Sequence, residues 1–338
     1  MNIGITYNIK EEITSTASLD PESFEEFDSI ATIEAIYNVL NKNGFDTVKL
    51  GGDIEIVDKL KKEKVDFVFN IAEGYEGRNR ESHVPSILEM KKIPYSGSDP
   101  LTLGLALDKI LTKKIASLAG IPIPSYKVIN KNDDLTELFS QELLPYPLIV
   151  KPSWEGSSKG IYNSSKVYNQ EELKEGLTRL FKKYPNQPIL VEKYIKGREI
   201  TVGIIGNSSP KVLGMMEMVN KKEQTDDFFY SLEVKRDWVN LVEYISPPKL
   251  TPEIEQVISQ YAILAFKEFG CRDLARIDFR ISTSNNVNKV FLLEINPLPG
   301  LSPVSGDFVI MSKKLGISYD DLVLTILSNA LERYNLQI

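Results

Sequence analysis

The chain has 338 residues, 42% of them hydrophobic, and a formal net charge of −7, which indicates a folded globular protein of two or three domains. One cysteine, Cys271, excludes an intramolecular disulfide and a cysteine-based zinc site, and one histidine, His83, excludes a paired-histidine metal site. The acidic balance argues against broad nucleic-acid binding, and the first residues lack the apolar run of a signal peptide or membrane span.

The first hundred residues alternate between strand and helix patterns. Apolar residues recur at helical spacing from Ile30 to Leu40, after a cap at Asp28 or Ser29. A second predicted helix runs from Val84 to Met90. The predicted strands lie at residues 2–7, 65–71 and 93–97. This β-α-β order predicts an N-terminal domain, residues 1–103, with a doubly wound parallel sheet.

The rest of the chain predicts two more domains. Residues 104–195 have the pattern of a small α+β domain, with helices at about 108–119 and 171–184 and strands at 147–152 and 188–195. Residues 196–338 are richer in strands, predicted at 199–206, 211–218, 275–282 and 289–295, with helices at about 252–269 and 319–334. The predicted fold class is therefore mixed α/β and α+β.

Two apolar strands near the C-terminus each carry one acid in their interior, Asp278 and Glu294. Asn296 follows Glu294 by two residues and so points to the same face of its strand. Unpaired buried carboxylates cost several kcal/mol (on the order of 3–5), so a cation is expected between them. Carboxylate and amide oxygens suit Mg²⁺, which commonly takes phosphate oxygens as further ligands. These strands therefore predict a nucleotide-phosphate site.

The loop from Lys151 to Gly160 is the second signal. Its small residues allow backbone N–H groups to approach phosphate oxygens, and Ser157 and Ser158 add hydroxyl donors. The loop is not a Walker P-loop, because the Gly-x4-Gly-Lys-Ser/Thr pattern is absent. Alone it favours a surface hairpin or turn, whereas its occurrence with Asp278, Glu294 and Asn296 favours phosphate binding.

Glu192, Lys193, Tyr194 and Ile195 follow an apolar strand and can form an adenine site. Backbone groups would meet the ring edge, and Tyr194 and Ile195 would form its walls. Glu199 could then accept hydrogen bonds from ribose hydroxyls. The alternative for such a run is an ordinary exposed strand end.

Four cations are candidate counter-charges for phosphate: Lys109, Lys151, Lys235 and Arg276. Each lysine alone is more typical of a solvated surface, since the chain has 40 lysines and arginines. Arg276 lies two residues before Asp278 on the same strand face, so its guanidinium is expected beside the metal, where it can bind a carboxylate or phosphate through two donors.

These motifs occur in a fixed order along nearly the whole chain: Lys109, Lys151, Glu155-Gly-Ser-Ser158, Glu192 to Ile195, Glu199, Ala275-Arg-Ile-Asp278, and Leu293-Glu-Ile-Asn296 with Pro299-Gly300. The set resembles the ATP-grasp superfamily and is most similar to D-alanine–D-alanine ligases. The resemblance implies a three-domain ATP-grasp fold that binds ATP between the central and C-terminal domains.

The resemblance also implies roles for individual residues. Lys109 and Lys151 would bind phosphates, the run from Glu192 to Ile195 adenine, and Glu199 ribose. Asp278, Glu294 and Asn296 would hold two Mg²⁺ ions, which Mn²⁺ could replace. Arg276 and the backbone N–H of Gly300 would stabilise an oxyanion.

Further implied roles concern the amino-acid substrates. Glu25 would recognise the first ammonium group, and Ser157 would link that glutamate to a mobile loop. Lys235 belongs to this loop, which would cover the γ-phosphate with the stretch from Asn220 to Tyr230 as its lid. Ser305 would hold the second substrate's carboxylate.

Two departures from the family pattern affect the substrate site. Arg236 stands where the family has a tyrosine of the mobile loop. The segment from Glu73 to Glu81 replaces a shorter loop that contains a histidine, and it gains Arg78 and Arg80 as candidate substrate residues.

The resemblance implies an ATP-dependent carboxylate–amine ligase that joins two amino acids through an acyl phosphate. The alternatives are a ligase for other amino acids, peptides or amines in a specialised pathway, and a nucleotide-binding regulatory module without activity. The expected partners are small-molecule substrates, with no nucleic acid or membrane, in a cytoplasmic homodimer. Substrate identity and chirality, pathway and oligomeric state are left open.

Overall fold

A computed structural model describes residues 1–10, 21–134, 139–140, 143–222, 227–284 and 287–337. Within these residues the strands form three sheets, of three, four and five strands, and each sheet uses one continuous part of the chain. None of the helices in these ranges is long and apolar enough to cross a membrane. The predicted α/β and α+β fold class is confirmed.

The first sheet is parallel, as predicted. Its strands are β1 (Asn2–Thr6), β2 (Asp46–Lys49) and β3 (Phe67–Asn70), in the order β2-β1-β3. The helices of this part are α1 (Ile30–Lys42), α2 (Ile56–Lys62) and α3 (His83–Met90). One sheet face, with Ile5 and Phe69, packs on α1, whereas Val68 on the other face packs with α2 and α3. Both faces are covered, which is the rule for parallel sheets.

Two helices and an antiparallel sheet follow. The helices are α4 (Pro100–Leu107) and α5 (Lys109–Leu118). The strands are β4 (Tyr126–Ile129), β5 (Leu148–Pro152), β6 (Lys166–Val167) and β7 (Ile189–Lys193), in the order β4-β7-β5-β6. Helix α6 (Gln170–Lys183) buries Leu173, Leu177 and Leu180 against this sheet.

Asp108 separates α4 from α5. Its backbone is extended, and its side chain accepts hydrogen bonds from the backbone N–H groups of Ile110 (2.9 Å) and Leu111 (3.0 Å). It also accepts from Arg78 Nε at 2.7 Å and Trp154 Nε1 at 3.0 Å. The cap therefore fixes the start of α5, where Lys109 lies.

We expect Asp108→Ala to lower the free energy of unfolding by about 2 kcal/mol, since it removes an N-cap and leaves partly buried donors without an acceptor. Asp108→Asn keeps a capping oxygen and should lose less. Thermal melting of both variants beside the wild type measures the difference. Equal melting temperatures for the alanine variant and the wild type would contradict the assignment.

The third sheet is antiparallel and carries the acids predicted to bind metal. Its strands are β8 (Arg198–Ile205), β9 (Lys211–Asn220), β10 (Val242–Ile245), β11 (Leu274–Ser284) and β12 (Val287–Asn296), in the order β10-β9-β8-β11-β12. Two short helices, α7 (Leu232–Arg236) and α8 (Trp238–Leu241), precede β10, and α9 (Pro252–Glu268) covers one face through Ile258 and Phe266.

The last two helices return to the first sheet. Helix α10 (Asp307–Lys314) contributes Phe308, and α11 (Tyr319–Arg333) contributes Leu322 and Ile326, to the core that contains Ile5. We propose domain limits at 1–103, 104–195 and 196–338, because each sheet falls within one of these ranges, with α10 and α11 binding the third domain to the first.

Candidate active site

An open cavity is lined by residues from all three parts of the chain. Many residues singled out in the sequence line it: Lys109, Lys151, Ser157, Ser158, Glu192, Lys193, Tyr194, Ile195, Glu199, Lys235, Arg276, Asp278, Glu294, Asn296 and Gly300. Four others are not among its lining residues: Glu25, Arg78, Arg80 and Ser305.

The predicted acids face each other across β11 and β12. The strand register sets Asp278 opposite Glu294 and Arg276 opposite Asn296. The amide of Asn296 donates to Asp278 at 3.2 Å and to Glu294 at 3.3 Å, and Thr201 Oγ1 donates to Asp278 at 2.8 Å. The alternation of side chains along a strand thus brings two carboxylates and an amide to one side of the cavity.

The two carboxyls differ in their electrostatic environment. Burial raises the pKa of Asp278 to about 7, and the facing charge of Glu294 adds to this effect. Burial also acts on Glu294, but Lys109 and Arg276 outweigh it and hold its pKa at about 2. Two buried acids this close retain both charges only when a further cation is present. The pair therefore offers a cation site.

Cations surround the acid pair. The guanidinium of Arg276 lies 3.0 Å from Asp278, 3.6 Å from Glu294 and 3.2 Å from Asp307. Lys109 Nζ lies 3.9 Å from Glu294. This arrangement places positive charge beside the two carboxylates, where it can attract phosphate oxygens.

Glu192 positions a second pair of cations. Its buried carboxylate lies 2.7 Å from Lys113 and 2.8 Å from Lys151. Burial lowers the pKa of Lys113 to about 8, although Glu192 opposes that effect. Lys113 has no counterpart among the sequence predictions, because nothing in its helical neighbours shows that it reaches Glu192 on β7.

The loop after β5 takes an unusual backbone conformation at the cavity. Ser157 and Ser158 have φ of 50° and 59°, in the left-handed region that serine seldom adopts. The carbonyl of Glu155 accepts from Lys109 Nζ, and the N–H of Gly156 donates to Glu26 Oε1 at 2.7 Å. Both ends of the strained turn are thus tied to other parts of the site.

Aromatic and aliphatic groups line another part of the cavity. Tyr194 is buried and meets Phe229 edge to face at 6.2 Å between ring centroids. Met218 and Ile195 also line the cavity there. Glu199 lies 3.5 Å from Arg280, and burial raises the pKa of this carboxyl. An apolar slot beside an acidic group suits a base and its ribose.

Comparison with known proteins identifies the family. A family model described as the D-ala D-ala ligase C-terminus matches residues 115–328. A D-alanine–D-alanine ligase from Carboxydothermus hydrogenoformans is 37% identical over 308 residues, which cover 90% of this chain and 94% of that protein. The chain belongs to the D-alanine–D-alanine ligase family. It is an ATP-grasp ligase, a class that uses ATP to form a peptide bond and generally requires Mg²⁺.

Solved structures of this family have the same fold. The D-alanine–D-alanine ligase from Bacillus anthracis complexed with ATP aligns with a TM-score of 0.72 and 24% identity, covering 99% of both chains. The D-Ala:D-Ser ligase VanG from Enterococcus faecalis aligns with a TM-score of 0.73 and 22% identity, covering 97% of this chain and 99% of that one. The predicted ATP-grasp fold is confirmed.

At the end of the cavity lined by Glu26, the structure places several of the predicted substrate residues outside the lining. Glu25, predicted to meet an ammonium group, instead bonds Arg236 at 2.7 Å. Its neighbour Glu26 lines the cavity and is bound by both Arg80 (2.5 Å) and Lys159 (3.0 Å). Glu25 and Glu26 follow a 3₁₀ turn, Pro21–Phe24, and only Glu26 lines the cavity. No sequence pattern indicated which of the two glutamates would face inward.

Arg78 and Arg80, the candidate substrate residues of the segment from Glu73 to Glu81, do not line the cavity. Arg80 is 4% exposed, and its guanidinium donates hydrogen bonds to Glu26 and to the carbonyl of Trp154. Arg78 pairs with Asp108 and lies over the ring of Trp154, with its guanidinium 5.5 Å from the ring centroid. Both guanidinium groups therefore join neighbouring segments of the chain outside the cavity lining.

Two further predicted residues, Ser305 and Lys235, differ in whether they line the cavity. Ser305 is exposed in a turn and donates to Ser302 Oγ at 3.1 Å, outside the cavity lining. Lys235 lies in helix α7 and lines the cavity; burial lowers its pKa. Asp307, at the start of α10, also lines the cavity and was not predicted. Of the predicted lid from 220 to 230, residues 223–226 lie outside the described residues.

Proposed function

We propose that the chain is an ATP-dependent ligase that joins two amino acids through an acyl phosphate and releases ADP and phosphate, as D-alanine–D-alanine ligases do. One observation carries the proposal: Asp278, Glu294 and Asn296 meet Arg276 and Lys109 in a single cavity. That combination provides for phosphoryl transfer and for stabilising an oxyanion in the same place.

We assign Asp278, Glu294 and Asn296 as the ligands of two Mg²⁺ ions, which Mn²⁺ could replace. The donor set fits, since hard oxygen ligands converge where Asp278 and Glu294 lie opposite each other on β11 and β12. Bound metal would neutralise charge on the phosphate oxygens. We assign Lys109 and Lys151 to the phosphates, with Ser157 and Ser158 donating from the strained loop.

We assign the slot formed by Lys193, Tyr194 and Ile195 to adenine and Glu199 to ribose. Lys193 Nζ donates to the carbonyls of Pro145 (2.9 Å) and Tyr146 (2.8 Å), which holds this side chain beside the slot. Glu192 supports this site indirectly, because its carboxylate is occupied by lysines.

In the proposed reaction a substrate carboxylate attacks the γ-phosphorus of ATP, the bond to the β-phosphate oxygen breaks, and an acyl phosphate forms. The amine of the second substrate then attacks the acyl carbon, and phosphate leaves. Arg276 and the Gly300 N–H would stabilise the oxyanion of this second step. Lys235, at the edge of the cavity, would bind the γ-phosphate side.

A second candidate is a ligase of the same mechanism for other amino acids, peptides or amines. The observation that favours it is the acidic surface that Glu73 and Glu81 contribute to the cavity. We also propose a homodimer that acts in the cytoplasm, where ATP is abundant; both statements rest on family analogy.

A screen of amino-acid pairs tests the proposed function. ADP release is measured with ATP and Mg²⁺ for pairs of D- and L-amino acids, and products are identified by mass spectrometry. We expect ADP release only when a pair is present, with one dipeptide formed per ADP. Release with D-alanine alone selects the first candidate, and release only with other pairs selects the second. No release with any pair would contradict both.

A further inference from the structure

The segment between β3 and α3 presents two carboxylates to the cavity, Glu73 and Glu81. Both line it, and Glu81 is 9% exposed. Among the described residues, no hydrogen bond or ion pair joins either carboxylate to another group. A carboxylate that is nine-tenths buried, faces a cavity and has no partner is costly to fold unless a ligand completes its environment.

The nearby cations are already committed to other acids. Arg80 donates to both carboxylate oxygens of Glu26. Lys159 lies 3.0 Å from Glu26 and 2.6 Å from Glu155. This end of the cavity therefore holds two more carboxylates, Glu73 and Glu81, than its two cations neutralise.

The effect of this imbalance is visible at both unpaired acids. Burial raises the pKa of Glu81 to about 7, against the attraction of Arg80. Burial and then the charge of Glu81 raise the pKa of Glu73 well above its usual range. The charge of Glu81 thus disfavours ionisation of Glu73, and a cation placed between the two carboxyls would be bound by both.

The missing cation is matched by an organic ammonium group. An ammonium group has three donors and can bond two separate carboxylates at once. The site also lies in the cavity where amino-acid substrates would bind.

The reacting end of such a substrate can be placed by Lys109. This lysine is 3.9 Å from Glu294 and also acts electrostatically on Glu81, so it lies between the phosphate side and the acidic end. A substrate whose ammonium groups meet Glu73 and Glu81 would direct its carboxylate toward Lys109. That carboxylate is the one phosphorylated in the proposed reaction.

We propose that the carboxyl-donating substrate is a diamino acid, whose α-ammonium and side-chain ammonium groups are bound by Glu73 and Glu81. The inference rests on the proposed function and specifies its substrate class. One ammonium group can bond both carboxylates but balances only one of their two charges, whereas an amino acid with a cationic side chain balances both. Glu73 and Glu81 are thus specificity-determining residues.

The test compares basic with neutral carboxyl donors. ADP release is measured for lysine, ornithine, 2,3-diaminopropionate, alanine and serine in both chiral forms, each with a saturating amine acceptor. The readout is the ratio of kcat/KM for the best basic donor to that for the best neutral donor. We expect a ratio of at least about ten in the wild type, because one hydrogen bond between charged groups contributes about a factor of ten to binding.

Matched variants locate the preference. Glu73→Gln and Glu81→Gln preserve shape and are each expected to lower this ratio by about tenfold or more, and Glu73→Asp should restore part of it. Glu76→Gln, on the exposed part of the same segment, should leave it unchanged. Melting temperatures and ATP binding show whether each variant is folded.

Two results would overturn the inference while leaving the proposed function intact: a wild type that prefers neutral donors, or a ratio unchanged in both glutamine variants. The wild-type preference decides the matter even if a variant does not fold. Absence of ADP release with every pair would instead overturn the proposed function, and the inference with it.

Discussion

Asp278→Asn is expected to reduce ATP turnover by a hundredfold or more, roughly the loss seen when a principal electrostatic group of an active site is removed, while the fold survives. Asp278 lies opposite Glu294, and both oxygens of its carboxylate face groups of the site: Thr201 on one side and Arg276 with Asn296 on the other. Loss of one charge leaves Glu294 as the only anionic ligand for the proposed metal.

The pKa of Asp278 explains why the fold should tolerate this change. Because burial raises that pKa to about 7, the folded protein favours the uncharged carboxyl more than the unfolded chain does. Ionised Asp278 therefore reduces stability as the pH rises from its ordinary pKa through the folded value. Asparagine, which carries no charge and can still accept from Thr201, should leave the melting temperature equal to or above that of the wild type.

Glu294→Gln provides the contrasting variant. It should also abolish turnover, but its pKa of about 2 is held down by Lys109 and Arg276 against burial. The ionised form therefore stabilises the fold above its ordinary pKa, and the stabilisation is lost as the pH falls toward 2. We expect the glutamine variant to melt at a lower temperature than the wild type near neutral pH.

ADP release at increasing Mg²⁺ concentration and thermal melting measure both effects. Asp320→Asn is the control, since Asp320 is an accessible acid on α11 that pairs only with Lys42 among the described contacts. Near-normal ADP production by Asp278→Asn and Glu294→Gln would refute the metal assignment. Melting shifts of the same sign in both variants would refute the electrostatic account of the pair.

The metal-side geometry could be predicted from the sequence because it depends on local periodicity. Side chains two apart share a strand face whatever the rest of the fold does, so the grouping of Arg276 with Asp278, and of Glu294 with Asn296, followed directly. The strand register then brought the two groups together. The parallel first sheet was predictable for the same reason, because its strands and helices repeat in the sequence.

The amino-acid end depends on contacts that no local pattern encodes. Arg80 reaches Glu26, 54 positions earlier in the chain, and the N–H of Gly156 reaches the same carboxylate from 130 positions later. Such long-range contacts decide whether an arginine faces the cavity or pairs with an acid outside its lining. The sequence could therefore mark Arg78 and Arg80 as unusual but not predict that they would be neutralised.

Helix α4 shows a different limit. Leu101, Leu103, Leu105 and Leu107 alternate with period two, which is typical of a strand, yet residues 100–107 are helical. Asp99 accepts a hydrogen bond from the N–H of Thr102, and Pro100 occupies the first turn. The cap and the proline were the informative signals there, and they outweigh the alternation of the leucines.

Arg276→Ala should affect the second half of the reaction more than the first. The guanidinium binds Asp278 at 3.0 Å and Asp307 at 3.2 Å, and these two acids hold it in a fixed orientation at the cavity. Two carboxylates thus preorganise a donor for an oxyanion, without reorganisation when charge develops. We expect amide formation to fall by about a hundredfold to a thousandfold.

The partition between products separates this role from a general loss of activity. If Arg276 stabilises the oxyanion, acyl phosphate still forms in the variant but is lost to hydrolysis, so the ratio of amide to ADP should fall well below that of the wild type. Hydroxylamine should trap the accumulated acyl phosphate as a hydroxamate. Arg276→Lys keeps the charge but loses the planar pair of donors, and should show an intermediate ratio.

Loss of Arg276 also leaves Asp278 and Asp307 with less positive charge nearby, so the Mg²⁺ dependence must be measured in the same variant. Tighter metal binding with a low amide-to-ADP ratio agrees with the assignment. Asp278 and Asp307 would then attract the metal more strongly, while the oxyanion would lack the donor that Arg276 provides. Arg272→Ala removes a guanidinium that pairs with Asp99 outside the cavity, and serves as the control. A wild-type rate of amide formation in Arg276→Ala would exclude the oxyanion role and assign that step to Gly300 alone.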